Sequence, residues 1–212
     1  MKLYGYWRST SSYRLRLALA LKGLAFDQVP VHLVRGGGEH RSDAYRRINP
    51  QQRVPSLILD DGTVLTQSPA IIEYLEETFP LPPLLPADPI QRARIRAVAA
   101  IIGCDIHPLH NVGPLTHLRE RFGASEDEIG RWVGHWIGEG LAAVEALIED
   151  GHTYCFGPWP SLADVYLVPQ VYAARRFGSA LASFPKITRI VDYAEAQPLF
   201  RAAHPSQQPD AA

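Results

Sequence analysis

The 212-residue chain sets 21 Lys and Arg against 22 Asp and Glu, a formal charge of −1, with 46% hydrophobic and 20% charged residues. Such a balance excludes the global basic field that holds nucleic acid or an acidic membrane surface, and no run of about 18 uninterrupted apolar residues is present to span a bilayer. Two cysteines, Cys104 and Cys155, are too few for a disulfide framework and suit a reducing cytoplasm.

The length allows one large domain or two small ones, each with its own core. MKLYGYW at the N-terminus lacks the apolar core of a signal peptide and passes directly into a strand pattern. Residues 2–7 and 26–33 read as strands on either side of a helix, a β-α-β opening that implies a parallel pair. The helix begins in a hydroxyl cluster, STSSYRLRLAL over residues 9–19. Ser and Thr oxygens accept the orphan N–H groups of a first helical turn, and a helix N-terminus favours an anion such as a thiolate or carboxylate. Arg8, Arg14 and Arg16 add formal positive charge to it. Leu15, Leu17, Leu19 and Leu21 alternate as in a strand, but Ala18, Ala20 and the arginines are strong helix formers, and Lys22-Gly23 supplies a stop. A helix buried on most sides is the better reading.

Arg35-Gly36-Gly37-Gly38-Glu39-His40 lacks the Gly-Lys-Ser/Thr ending of a phosphate loop and reads as a mobile surface loop. Ser56–Leu59 and Thr63–Leu65, separated by Asp60-Asp61-Gly62, form a β-hairpin signal. Ser68 reads as the cap of the next helix, with Pro69 at its first position; Ile71, Ile72, Leu75 and Phe79 give that helix an apolar face, and the pattern ends at Pro80. Leu81-Pro82-Pro83-Leu84-Leu85-Pro86 cannot continue a helix and reads as an extended linker. Beyond it strand signals stop: residues 89–120, 125–150, 161–177 and 186–197 all read as helices, with Ser161 and Asp164 at capping-box spacing. Residues 203–212 read as a frayed tail. The expected organisation is a mixed α/β domain over 1–80, a proline-rich linker over 81–88 and an all-helical domain over 89–212.

The run YWRSTSSYRLRLALALKGL resembles the signature of the zeta-class glutathione transferases, the maleylacetoacetate and maleylpyruvate isomerases. NPQQRVPSL, QSPAIIEYLEE, GCDIHPLHN and SLADVYLVPQVYAARRF extend the resemblance, in the family's order, over nearly the whole chain. It implies the glutathione transferase fold, a thioredoxin-like N-terminal domain followed by an all-α C-terminal domain, with glutathione as cofactor and a cytoplasmic homodimer. It also implies roles. Ser9 would hold the glutathione sulfur as a thiolate; Gln51, the Val54 backbone, Gln67 and Ser68 would cradle the tripeptide, with Pro55 in the cis form. His107 and Asn111 would close over glutathione and the reacting centre, and Arg8 and Arg176 would clamp a dicarboxylate substrate. Two departures stand out. Ser11 replaces a signature cysteine, which argues against the disulfide-resolving chemistry of reductive dehalogenases. Val112-Gly113-Pro114 follows the HPLHN stretch where some relatives carry basic residues, which leaves maleylacetoacetate and maleylpyruvate both open.

The implied reaction is reversible addition of a thiolate to a cis double bond, so the protein must supply a stabilised thiolate and donors for the enolate charge. A transferase acting on small α-halo acids would use the same thiolate, and a non-catalytic binding module would have no need for Ser9, Gln67, Ser68 and Arg176 together. Cys104, His107 and His110, with Asp105 between them, invite a metal reading. Pro108 interrupts the helix there and the chemistry needs no metal, so none is expected.

Overall fold

Burial alternates along β1 (Lys2–Gly5): Leu3 and Gly5 turn inward while Lys2 faces water. β1 is central in a four-stranded sheet of order β2-β1-β3-β4. It pairs in parallel with β2 (Asp27–Pro30), Lys2 opposite Asp27 and Gly5 opposite Pro30, and antiparallel with β3 (Ser56–Ile58), Leu3 opposite Leu57. β4 (Val64–Thr66) completes the expected hairpin, with Leu57 opposite Leu65. Between β1 and β2 runs α1 (Thr10–Leu21), whose Leu15, Leu17, Ala18 and Leu19 are all fully buried. Burial of each leucine stabilises by about 1.5–3 kcal/mol, and contacts on several sides explain why alternating leucines are tolerated in a helix. At its end Lys22 Nζ meets Glu76 Oε2 at 2.6 Å and donates to the carbonyls of Phe79 and Pro82, tying α1 to the end of α3 (Ser68–Thr78).

The structure, a computed structural model, describes residues 1–211, and the chain divides into two compact units. The first is Met1–Pro83 together with the segment from Ala196 onward; the second is Leu84–Glu195. The helical half therefore does not run to the C-terminus as expected. The residues after 203 do not fray as expected either: a short helix (Pro198–Ala203) packs on α1, burying Phe200 and Ala203, and a 3-10 turn (Pro205–Gln207) follows it with Pro205 buried.

Three further local readings are corrected. A short helix the sequence pattern did not reveal, α2 (Asp43–Ile48), is capped by the Ser42 side chain. The triple-glycine stretch forms short 3-10 turns rather than an open loop, closed by Glu39, which accepts from the His32 N–H, and by His32 Nδ1, which accepts from the Val34 and Arg35 N–H groups. Gly38 sits there at φ 101° with no room for a side chain, since a Cβ would lie 2.9 Å from the Leu33 carbonyl oxygen. The cap of α3 is Gln67, not Ser68, because the Ser68 hydroxyl is turned to Arg14.

In the second unit Asp88 caps α4 (Pro89–Ala100). The single helix expected over 89–120 is instead broken: a π-helical stretch at Ile101–Ile106 and a 3-10 turn at His107–His110 precede α5 (Val112–Phe122). Pro108 cannot supply a helical N–H, and Asn111, at extended φ −76° and ψ 160°, caps the new helix. α6 (Glu126–Leu147) carries a full capping box from Ser125 and Glu128. α7 (Leu162–Arg176) and α8 (Pro185–Ala196) complete the unit, followed in sequence by α9, the Pro198–Ala203 helix of the first unit. Leu84 of the linker is buried and accepts from the Leu162 N–H at 2.9 Å. Among the described residues no helix is long and apolar enough to cross a membrane.

α6 lies so close to the π-helical stretch that a Cβ on Gly140 would collide with Ile106 Cγ1. Ile106 is fully buried, and its branched side chain has few alternative rotamers. Gly140→Ala is expected to cost about 1–3 kcal/mol by overpacking despite the better helix propensity of Ala; an unchanged urea midpoint would contradict the close packing.

Candidate active site

In the first unit, the chain leaves β1 at Gly5 and must turn sharply into α1. Ser9 caps the helix: its Oγ accepts from the Ser12 N–H at 3.3 Å, and its own N–H donates to the Tyr6 carbonyl at 3.0 Å. Ser12 returns the arrangement, its Oγ accepting from the Tyr6 N–H at 3.2 Å. A hydroxyl that accepts at a cap keeps its proton to donate, so the half-buried Ser9 can offer an O–H at the positive end of a 12-residue helix. Arg8 beside it is half-buried, its guanidinium carbon 5.5 Å from the centre of the Trp7 ring. The other two arginines are turned inward and only 2% exposed. Arg14 donates to Ser68 Oγ at 3.1 Å, linking α1 to the start of α3, and Arg16 donates to main-chain carbonyls.

The segment before β3 is built on Arg53, whose carbonyl accepts from both Tyr45 Oη at 2.8 Å and Asn49 Nδ2 at 2.7 Å. Asn49 Oδ1 accepts in turn from the Gln51 N–H at 3.0 Å. The Val54–Pro55 peptide is cis. Among the described residues Gln52 and Gln67 are the two non-glycine residues at positive φ, 56° and 67°, a backbone state that costs energy and gathers at functional sites. The Gln67 amide donates to Gln51 Oε1. Gln51 and Gln67 are thus in direct contact and exposed, Ser68 is joined through Arg14 to the helix that Ser9 caps, and Val54 stands half-buried just before β3.

In the second unit, His107 and Arg176 belong to one cluster. The His107 and His110 rings meet edge-on with centroids 5.4 Å apart; His110 meets Phe177 at 5.5 Å; and the Arg176 guanidinium lies 4.6 Å over the Phe177 ring. Buried His110 Nε2 is 3.1 Å from Oε1 of buried Gln170. Gln170 and Phe177 are seven residues apart, two helical turns, and so grip His110 from one face of α7 and its end. Asn111 accepts the Val112 N–H with its oxygen, which leaves its amide N–H groups to donate. Arg175 faces elsewhere, donating to Asp192 and Glu195 of α8, whose carboxylates hold its pKa above the ordinary arginine value against the effect of burial. Cys104 is exposed while His110 is buried, and among the described residues no group of three or more His, Cys, Asp or Glu could hold a metal ion.

Sequence reasoning missed Gln170, Phe177 and the orienting place of His110. The one available signal was a polar Gln in the otherwise apolar Val165–Val171 stretch.

Comparison with known proteins adds the family. Residues 3–83 match the family described as glutathione S-transferase, N-terminal domain. The chain is 61% identical over 210 residues to the maleylacetoacetate isomerase of Pseudomonas aeruginosa, covering 99% of this chain and 98% of that one. The chain belongs to the zeta class of glutathione transferases. A solved holo maleylpyruvate isomerase of that class shares 51% identity and a TM-score of 0.96, with full coverage of both chains. A maleylacetoacetate isomerase from Anaeromyxobacter dehalogenans, solved with dicarboxyethyl glutathione and citrate in its active site, shares 41% identity and a TM-score of 0.86, covering 100% of this chain and 93% of that one. The zeta-class fold accounts for both units, the mixed sheet with its helices and the all-helical body.

Proposed function

We infer that this zeta-class chain is a glutathione-dependent cis-trans isomerase that converts maleylacetoacetate or maleylpyruvate to the fumaryl isomer. The observation that carries the reading is the end-to-end identity with a relative of that activity, 61% over 99% of the chain. The donor set fits glutathione: a capped hydroxyl at a helix N-terminus suits a thiolate, while the Gln51–Gln67 pair and Ser68 at the start of α3 suit the amides and a carboxylate of a charged tripeptide. The chemistry supplied by bound glutathione is reversible thiolate addition to the double bond, which frees the central C–C bond to rotate before the thiolate leaves. A dicarboxyethyl group on glutathione, as in the relative's ligand, is what such an addition to a maleate-like double bond would leave.

The residues divide the work by chemistry. Ser9 donates its hydroxyl proton to the sulfur and, with the α1 dipole, favours the ionised form. Val54 offers main-chain pairing to the tripeptide, and His107 and Asn111 offer donors to glutathione. Arg8 and Arg176 pair with substrate carboxylates, for which a planar guanidinium is suited; the Phe177 face orients the Arg176 head. The free thiols of Cys104 and Cys155 suit a cytoplasmic enzyme, and membership of the class supports a homodimer.

The test is isomerisation of each substrate, followed spectroscopically with and without a trace of glutathione. Turnover that requires glutathione but consumes none is expected, and the ratio of the two kcat/KM values names the substrate. Bound glutathione without turnover of either substrate would overturn the reading. Stoichiometric loss of thiol with release of halide from α-halo acids would replace it with a transferase.

A further inference from the structure

The turn that carries Arg8 and Ser9 is fastened from the far end of the chain. The Trp7 N–H donates to Asp210 Oδ2 at 2.9 Å, and the other Asp210 oxygen accepts from Gln28 Nε2 at 3.1 Å. The Trp7 carbonyl accepts from Arg16 at 3.0 Å, and the same guanidinium donates through Nε to the Ala203 carbonyl at 3.0 Å. Both main-chain polar groups of Trp7 are therefore held by one network whose outer members lie at 203 and 210. His204 adds an edge-on ring contact to Tyr13 of α1 at 5.8 Å.

These bonds matter because of where Trp7 sits. β1 ends at Gly5, so the sheet ladder no longer supplies a partner for the Trp7 N–H. The local bonds among Tyr6, Ser9 and Ser12 shape the cap. None of these bonds reaches β2. A carboxylate accepting two N–H donors is a strong, directional clamp, and here it joins the Trp7–Arg8 corner to Gln28 on β2.

We propose that Asp210 is a positioning residue for the active-site turn, and that residues 203–210 act as a strap that sets the geometry of Arg8 and Ser9. The proposal rests on the reading of Ser9 as the donor to the thiolate. It concerns the full chain, so point variants test it: Asp210→Ala removes the clamp, while Asp210→Asn keeps an oxygen for the Trp7 N–H.

Three quantities are measured on each: the pH dependence of the ultraviolet absorbance of bound glutathione thiolate, kcat for the maleyl substrates, and amide hydrogen exchange at Trp7. In Asp210→Ala the bound thiol should shift its ionisation toward that of free glutathione, kcat should fall about tenfold, as for a misplaced reacting group, and the Trp7 amide should exchange faster. Asp210→Asn should recover most of all three. A lower unfolding temperature in Asp210→Ala with kcat, thiol ionisation and Trp7 exchange unchanged would overturn the proposal, because a merely structural tail acts in that way. If the wild type bound glutathione without ionising its thiol, the reading of Ser9 would fail by itself. The strap would then be decided by Trp7 exchange, faster in Asp210→Ala if it is right and unchanged if it is wrong.

Discussion

Ser9→Ala is expected to lower kcat about ten- to a thousandfold, the range for removing one preorganised donor from a developing or held anion. The side chain has two tasks, and the variant removes both. It accepts the Ser12 N–H as the cap of α1, and it is proposed to donate its proton to the glutathione sulfur. Loss of a cap costs about 0.5–2 kcal/mol of stability, which leaves a folded enzyme to assay. The two tasks separate in a pair of variants: Ser9→Thr retains an accepting oxygen and a donating proton, whereas Ser9→Asn retains a capping oxygen without the hydroxyl. Turnover that survives in Ser9→Thr and is lost in both Ser9→Ala and Ser9→Asn, together with a rise in the ionisation pH of the bound thiol, would assign the effect to the hydroxyl. Wild-type turnover in Ser9→Ala would remove Ser9 from the chemistry.

The largest expected loss of stability is at Asp164, a fully buried carboxylate in the first turn of α7. Its oxygens accept from the Ser161 N–H and hydroxyl, both at 2.8 Å, and from the Cys155 N–H at 3.0 Å. One side chain thereby holds the start of α7 and the preceding loop at once. Asp164→Ala would leave two buried main-chain donors without partners. At about 1–3 kcal/mol for each, the expected loss is about 2–6 kcal/mol, read from the denaturant midpoint. Burial raises the Asp164 pKa, although the hydrogen bonds pull it down. The folded chain then holds this proton more readily than the unfolded chain. The resulting contribution is greatest below the unfolded value of 3.8 and declines as pH rises through the folded pKa. Against Asp164→Asn, which does not titrate, the wild type should lose relative stability as pH rises from that value. A constant difference would show that the hydrogen bonds cancel the desolvation.

The pKa of Tyr154 close by is pushed up to about 12, first by burial and then by Tyr193 and Asp164. The same loop thus resists ionisation of the phenol as well. Buried Cys155 behaves similarly: burial, then the neighbouring Asp164, drives its thiol pKa upward, which makes it a packing group rather than a nucleophile.

Much of this protein is written in short windows of sequence. The Ser9 cap, the Asp-Gly hairpin, Pro69 at the head of α3 and the Ser161–Asp164 pairing each depend on residues within a few positions of one another. For that reason local chemistry and motif spacing sufficed to find them, and the family resemblance rested on the same runs. Local spacing puts the cap of α3 at Ser68, one residue beyond the observed Gln67, because the Ser68 hydroxyl is claimed by Arg14, 54 positions away. What lay beyond the sequence reading is what long-range contacts decide. A π-helical stretch has no pattern of its own, yet it sits directly before His107 and shifts the register in which that residue is presented. His110 is oriented by Gln170, 60 positions on, and the Trp7 corner by Asp210, 203 positions on. A polar, Pro-containing tail reads as frayed when its partners are unseen. Buried Arg16, which reaches the Ala203 carbonyl, and the Trp7 N–H beyond the open end of β1, which reaches Asp210, give it somewhere to bind, and only folding brings these partners to it.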